Sequence, residues 1–283
     1  ISFYPCEMRR IRALGPWLIP LILAAAASCD KTKPVARVAL TGPLTGDLAP
    51  DGLGMLHSVE LAFEEARSGE GLPFTLEIRS FDDKADPVEA VNVARSIAAD
   101  PSIVAVIGHI TSGCTIAAAR VYAEAGIPVL TPSATSPEVT LQQTRPDWTG
   151  PRIVFRLPAS DAMLGAFAAD YAYSRFNMRR MAVVHDQTPY GHDLADEFRK
   201  KFQEKTGEVQ AFKAVSRGDR DFSALAAEFK ALKPDGVFFG GIFTEAAYLV
   251  KQLRQAGVAA TFISGDGAKG DELFTIAGEA SDN

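Results

Sequence analysis

Apolar positions along the chain repeat with two different periods, and the two alternate. Residues 35–40 are apolar and partly β-branched, and residues 74–81 alternate apolar with polar side chains. Residues 103–107 form the continuous apolar run that a strand buried on both faces shows. Between these strand-like runs lie helical ones. Val59, Ala62, Phe63 and Ala66 share one face of a helix over 58–67, and Val91, Ala94 and Ala98 share a face of a helix that Pro87 can open. A helix over 116–125 stops at Gly126, and 127–130 is the next strand. The series resumes with a helix over 163–176, a strand over 181–184 and a helix over 192–206, where Leu194, Phe198 and Phe202 recur at four-residue spacing. Strands over 209–215, 236–239 and 261–263 then alternate with helices over 222–232 and 244–256. Gly126, Gly207 and Gly257 each stand between a helix and the next strand, where a left-handed residue is favoured.

Strict alternation with short connections implies parallel sheets covered by helices on both faces. The stretch 131–158, rich in Pro, Ser and Thr and poor in strands, divides the series into two halves of roughly four β-α units. The expected fold class is therefore α/β, with two doubly wound parallel-sheet lobes over 35–155 and 156–283.

The first 29 residues read differently. Met8 to Arg12 is a basic start, 13–27 is uncharged and largely apolar, and Ser28-Cys29 closes the stretch. This is the layout of a secretory signal, and about 15 apolar residues interrupted by Pro16 and Pro20 fall short of the ~20 that a membrane span needs. Ala26 to Cys29 also resembles a bacterial lipobox, in which Cys29 would be lipidated, although Ala26 stands where Leu is usual; plain signal cleavage nearby is the alternative. Residues 1–7 precede a start at Met8.

Composition narrows the function classes. A net charge of −6, a sequence pI near 5.3 and no long Lys/Arg run argue against nucleic acid as a partner. The three cysteines, Cys6, Cys29 and Cys114, are too few for a disulfide scaffold and wrongly spaced for a zinc cluster. Cys114 lies near His109 in sequence, but a small buried thiol is the favoured reading over a nucleophilic pair.

In open parallel sheets ligands bind beyond the carboxyl ends of the strands, so the segments following each strand hold the candidate chemistry. Thr111, Ser112 and free backbone N–H groups at a helix start form a potential anion site, with plain N-capping as the alternative. Ser133 and Thr135 follow the next strand. Gly265, Gly267 and Gly270 match a dinucleotide loop, but Asp266 would repel a pyrophosphate, and the following strand and ribose-binding acid are missing. The same Asp266 favours an ammonium, so the two halves together suit a zwitterion. His185, Asp186, His192 and Asp193 form a loose group read as a solvated loop with Asp193 as an N-cap in preference to a metal site. Phe243 is a candidate cleft residue, whereas Phe238 and Phe239 read as core.

These post-strand segments resemble the periplasmic leucine/isoleucine/valine-binding proteins, branched-chain amino-acid receptors of ABC transporters. The residues that carry the likeness include Leu40 to Gly46, Gly52 to Leu56, Phe81 to Asp83 with Asp86-Pro87, and Leu130 to Glu138. Arg156 with Asp161, Val184 to Asp186 with Tyr190-Gly191, and Gly240-Gly241 continue it. The resemblance covers essentially all of 35–283 and implies a type I periplasmic-binding fold, two α/β lobes joined by a hinge and closing over one ligand. It assigns the ligand carboxylate to Thr111, Ser112 and Thr135, and the ammonium to Asp266 with help from Ser133 and Ala134. Tyr190 matches a cleft tyrosine. The sequence departs from the family pattern where Asp266 replaces a usual Glu, and where Asp51 and Ile242 replace cleft tyrosines. It departs again where a common cysteine pair is missing, and where the chain stops before the expected return to the first lobe.

The expected function is capture of an amino acid, branched-chain or a related small molecule, and delivery to an ABC transporter permease. No chemical step and no cofactor or metal is expected. The expected location is extracytoplasmic or periplasmic, with a lipid anchor at Cys29 on the cytoplasmic membrane, and the expected state is a monomer. A ligand sensor on the same scaffold and a doubly wound enzyme are the alternatives.

Overall fold

The computed structural model describes residues 33–69 and 71–281, so the leader, including Cys29 and its lipidation, lies outside the described residues. The first sheet is wholly parallel in the order β2-β1-β3-β4-β5. Its strands are β1 (Val35–Gly42), β2 (Thr75–Asp82), β3 (Ile103–Gly108), β4 (Val129–Thr131) and β5 (Val154–Arg156). The connecting helices are α1 (Ala49–Ser68), α2 (Pro87–Ala98), α3 (Ser112–Ala125) and the single turn α4 (Glu138–Leu141). The second sheet, also parallel, runs β7-β6-β8-β9. It comprises β6 (Arg180–His185), β7 (Glu208–Ala214), β8 (Gly236–Gly240) and β9 (Thr261–Ser264). Around it lie α5 (Asp161–Asp170), α6 (Pro189–Glu204), α7 (Ser223–Leu232), α8 (Phe243–Gln255) and α9 (Asp271–Ala277).

Each sheet carries its own core. In the first lobe Ala39, Val106 and Val129 pack with Ala94, Ile97, Ala118 and Tyr122 from the helices, all buried. In the second, Phe202, Phe198 and Phe238 form a stack, with ring centroids 5.7 and 4.0 Å apart in succession. The helical repeat of Leu194, Phe198 and Phe202 read from the sequence is this buried face. A second cluster on the other side of the sheet gathers Val184, Phe229, Phe239 and Leu249. The second sheet is thus covered on both faces, whereas in the first Val104, Leu130 and Phe155 are exposed; the fold is the two-lobed α/β arrangement that the alternation implied.

Three local expectations are corrected. A fifth strand, β5, pairs with β4 inside the segment read as strand-poor, because the surrounding prolines and polar residues mask its three-residue run. Helix α1 begins nine residues before the apolar face over 58–67 starts; Pro50 occupies its first turn and Gly52 packs in the turn's interior. The left-handed residue after α6 is Thr206 (φ +67°), not Gly207. At Gly207 the requirement is space, since a Cβ there would lie 2.2 Å from the Phe202 ring.

Candidate functional site

A cleft of about 840 Å³ opens between the lobes, and its walls are the segments that follow the strands in both sheets. From the first lobe come Leu48, Asp51 and Met55 after β1, Asp86 after β2, Ile110 to Gly113 after β3, and Pro132, Ser133 and Thr135 after β4. From the second come Asp186, Thr188 and Tyr190 after β6, Arg217 after β7, Ile242 and Phe243 after β8, and Asp266, Gly267 and Lys269 after β9. Eight of the nine ligand-site residues read from the sequence therefore share one cavity wall: Thr111, Ser112, Ser133, Thr135, Tyr190, Asp266, Asp51 and Ile242. Ala134 does not. It is buried behind the wall, its N–H donating to Thr131 Oγ1 at 3.0 Å.

The first-lobe wall is built by short-range hydrogen bonds. Thr111 caps α3, its hydroxyl accepting from the Cys114 N–H at 3.4 Å. Ser112 Oγ accepts from the N–H groups of Thr135 and Ser136, both at 3.2 Å, which ties the loop after β4 to the start of α3. The first turn of α3 contains no acidic side chain, so its leading N–H groups and helix dipole face the cleft without an internal anion. Capping and anion binding were alternatives for these hydroxyls, and capping uses only the Thr111 side chain. Beneath this loop His109 is fully buried, with Asp83 Oδ2 2.6 Å from Nδ1 and the Tyr122 hydroxyl 3.1 Å from Nε2. Both ring nitrogens are thereby engaged, so His109 does not serve Cys114. The Cys114 thiol is buried and pushed up to about 12, chiefly by desolvation, which leaves it an inert core residue.

The opposite wall is organised by Tyr190. Its hydroxyl donates to Asp266 Oδ1 and accepts from the Gly267 N–H, both at 2.9 Å. Burial, and then the Asp266 charge, hold this phenol well above its ordinary range, so it remains a donor. Helix α6 reaches this position because Gly191 lets its first turn lie on the end of β8. A Cβ at Gly191 would sit 2.2 Å from Asp186 Oδ1 and 2.4 Å from the Gly240 carbonyl oxygen. The N-cap of α6 is Thr188, whose hydroxyl accepts from the Gly191 N–H at 3.0 Å, and not Asp193 as the sequence suggested. Asp193 instead accepts from Ser136 Oγ at 2.5 Å, a direct bond between the lobes. Among the described residues no group of His, Cys, Asp and Glu side chains is arranged to hold a metal ion.

Sequence reasoning did not assign a role to Asp161, at the start of α5. Its side chain is fully buried, with the Thr135 side chain as the hydrogen-bonding neighbour that favours its charged form. Its backbone N–H donates to the Thr135 carbonyl at 2.9 Å, which fixes it against the Thr135 loop. Desolvation above all pushes its carboxyl up to about 7, the charges of Asp266 and Asp193 add to it, and the Thr135 side-chain hydrogen bond and then Arg156 only partly oppose them. A buried carboxyl raised this far is a candidate for a functional role. The available signal was the pairing of Arg156 with Asp161 a short step after the first lobe's last strand.

Arranged in space, one flank of the cleft presents helix-start donors and the other presents Asp266 and the Tyr190 phenol, with Asp161 buried behind the Thr135 loop. A family model for periplasmic binding proteins matches residues 35–283. The chain is 39% identical over 239 residues to a Leu/Ile/Val-binding protein homolog 1 of Brucella abortus (strain 2308), covering 84% of this chain and 62% of that protein. It is 33% identical over 263 residues to a leucine-, isoleucine-, valine-, threonine- and alanine-binding protein of Pseudomonas aeruginosa, covering 93% of this chain and 68% of that one. Among solved structures it is similar to a leucine-binding protein, LivK, of Thermotoga maritima, with TM-score 0.79, 30% identity, 87% of this chain and 67% of the other. It is also similar to LivJ of Streptococcus pneumoniae, solved with isoleucine, with TM-score 0.77, 26% identity, 86% of this chain and 68% of the other. The chain spans 62% of the length of the Brucella relative. By the match over 35–283 and these relatives, the chain belongs to the periplasmic binding protein family.

Proposed function

We propose that this chain captures an amino acid in the cleft between its lobes and presents it to an ABC transporter permease, outside the cytoplasm, as a binding protein without a chemical step. The observation that carries the reading is that one cleft is lined both by the Asp266 carboxylate and by the start of α3, whose first turn holds no acidic side chain. A zwitterion fits both ends. Its carboxylate would accept from the leading N–H groups of α3 and the hydroxyl of Thr135, and its ammonium would lie between Asp266 and Asp161 beside Ser133. Both charges of a buried zwitterion need partners, and here they come from different lobes. Ligand contacts with both lobes favour the closed arrangement over the open one, so closure about the hinge is the response to binding. The names of the relatives support an amino acid as the ligand class. Lipid anchoring at Cys29 remains part of the proposal. Monomeric action fits a site whose two walls come from one chain.

The test is a thermal-shift panel of the common amino acids on the full-length protein. The expected result is a rise in melting temperature with at least one of them, lost in Asp266→Ala. An undiminished shift in Asp266→Ala would remove Asp266 from the ammonium site, and no shift with any amino acid would overturn the ligand class.

A further inference from the structure

The loop after β4 carries one of the cleft-lining hydroxyl residues, Thr135, and the polar groups of its neighbour Ser136 are all engaged. The N–H groups of Thr135 and Ser136 donate to Ser112 Oγ, at the start of α3, both at 3.2 Å. Their carbonyls accept from Arg156 Nη1 at 3.2 and 2.9 Å, and the Thr135 carbonyl also accepts from the Asp161 N–H at 2.9 Å. The Ser136 hydroxyl accepts from the Glu138 N–H at 3.2 Å and donates to Asp193 Oδ2 at 2.5 Å. Ser136 is fully buried, so this short bond to a carboxylate is made away from water.

Asp193 lies on α6, about one turn beyond Tyr190, whose hydroxyl joins Asp266 Oδ1 and the Gly267 N–H. A single bonded route therefore runs from Thr135 through Ser136 and Asp193 to α6, and from Tyr190 on α6 to Asp266. Its two ends, Thr135 and Asp266, line the same cleft from different lobes. The start of α3 also meets the start of α6, where a Cβ at Gly113 would lie 3.6 Å from Pro189 Cδ. The other oxygen of Asp193 faces His192 Nδ1 at 3.4 Å, which leaves Oδ2 to Ser136. Lobe motion then turns about these contacts, and the distance from the α3 donors to Asp266 depends on how Asp193 is held.

In an α-amino acid the ammonium and the carboxylate sit on the same carbon, and a β-amino acid places one more methylene between them. A site whose two ends are tied by an unbroken route accepts one spacing, whereas a site with loose ends adjusts to either. We propose that Asp193 is a positioning residue: through Ser136 it holds the two ends of the ligand site at the spacing of an α-amino acid, so that the cleft rejects longer zwitterions. This assignment rests on the amino-acid reading of the cleft given above and adds to it a residue that acts through Ser136 and α6.

Calorimetric titration of the full-length protein with L-alanine, L-leucine, L-lysine and L-glutamate, and with the β-homologue of each, tests it. Within a pair the side chain is the same and only the span between the charged ends differs. In wild type the α-amino acid of a binding pair is expected to bind at least about tenfold more tightly than its homologue. Ser136→Ala and Asp193→Ala are each expected to lower that ratio about fivefold, and the double variant no further, because all three remove the same bond. Asp193→Asn, whose amide oxygen still accepts from the Ser136 hydroxyl, is expected to keep most of the preference. A merely structural contact would weaken both members of a pair alike. A ratio unmoved in both single variants, or reductions that add in the double variant, would therefore overturn the positioning role and leave the amino-acid site standing. If none of these compounds binds, both readings fail.

Discussion

Asp161 shows how one side chain can encode the need for a ligand. Its position at the start of α5 would ordinarily favour ionisation through the helix dipole, yet burial outweighs that benefit and the Thr135 hydrogen bond, and raises the carboxyl from 3.8 to about 7. The sign of the consequence follows. A carboxyl whose folded-state pKa lies above its unfolded one keeps a proton that the unfolded chain releases, so stability is greatest at low pH and falls as pH climbs from about 4 toward 7. Asp161→Asn, which removes the charge, is therefore expected to raise the melting temperature of the ligand-free protein at pH 8 relative to wild type, and to raise it clearly less at pH 5. A difference between the two proteins that is the same at both pH values would contradict this account. A bound ammonium reverses the preference of Asp161 for its proton. Binding in wild type then releases a proton near neutral pH, which calorimetry in buffers of different ionisation enthalpy would detect.

At the scale of elements, the loops that build the cleft are fixed by close approaches more than by long-range forces. Gly191 is the clearest instance, because α6 must rest on the end of β8 for Tyr190 to reach Asp266. Gly191→Ala is expected to destabilise the protein by about 1–3 kcal/mol in denaturant titration and to weaken ligand binding with it, since Tyr190 is displaced. Unchanged stability would mean the neighbouring backbone yields freely. The same elements show what was legible in the sequence. Alternating apolar periods located eight of the nine strands, because a parallel strand buried on both faces must be apolar throughout, as in Gly236–Gly240. Helix starts were harder to place, as in α1 and α6, whose first turns carry Pro, Gly and polar residues facing the cleft. Asp193 looked like a cap because local polarity does not reveal that its partner, Ser136, is 57 positions away. Asp161 escaped for a related reason: nothing local distinguishes a carboxylate that begins an exposed helix from one buried at a cleft.

For the whole molecule, two similar sheets present their carboxyl ends to one shared cavity, and each lobe contributes one half of a charge pattern. The Ser136–Asp193 bond and the approach of Gly113 to Pro189 join the lobes beside that cavity, so the lobes can move without separating there. A ligand that spans both halves links their positions. The central claim is geometric: the amino group belongs at Asp161 and Asp266, and the carboxylate at the start of α3. The most direct measurement is a crystal structure of the full-length protein with its tightest-binding amino acid. The expected result places the ligand nitrogen within hydrogen-bond distance of Asp266 or Asp161 and its carboxylate against the N–H groups of Ser112 and Gly113. A ligand bound outside the cleft, or bound with its two ends exchanged, would contradict the account.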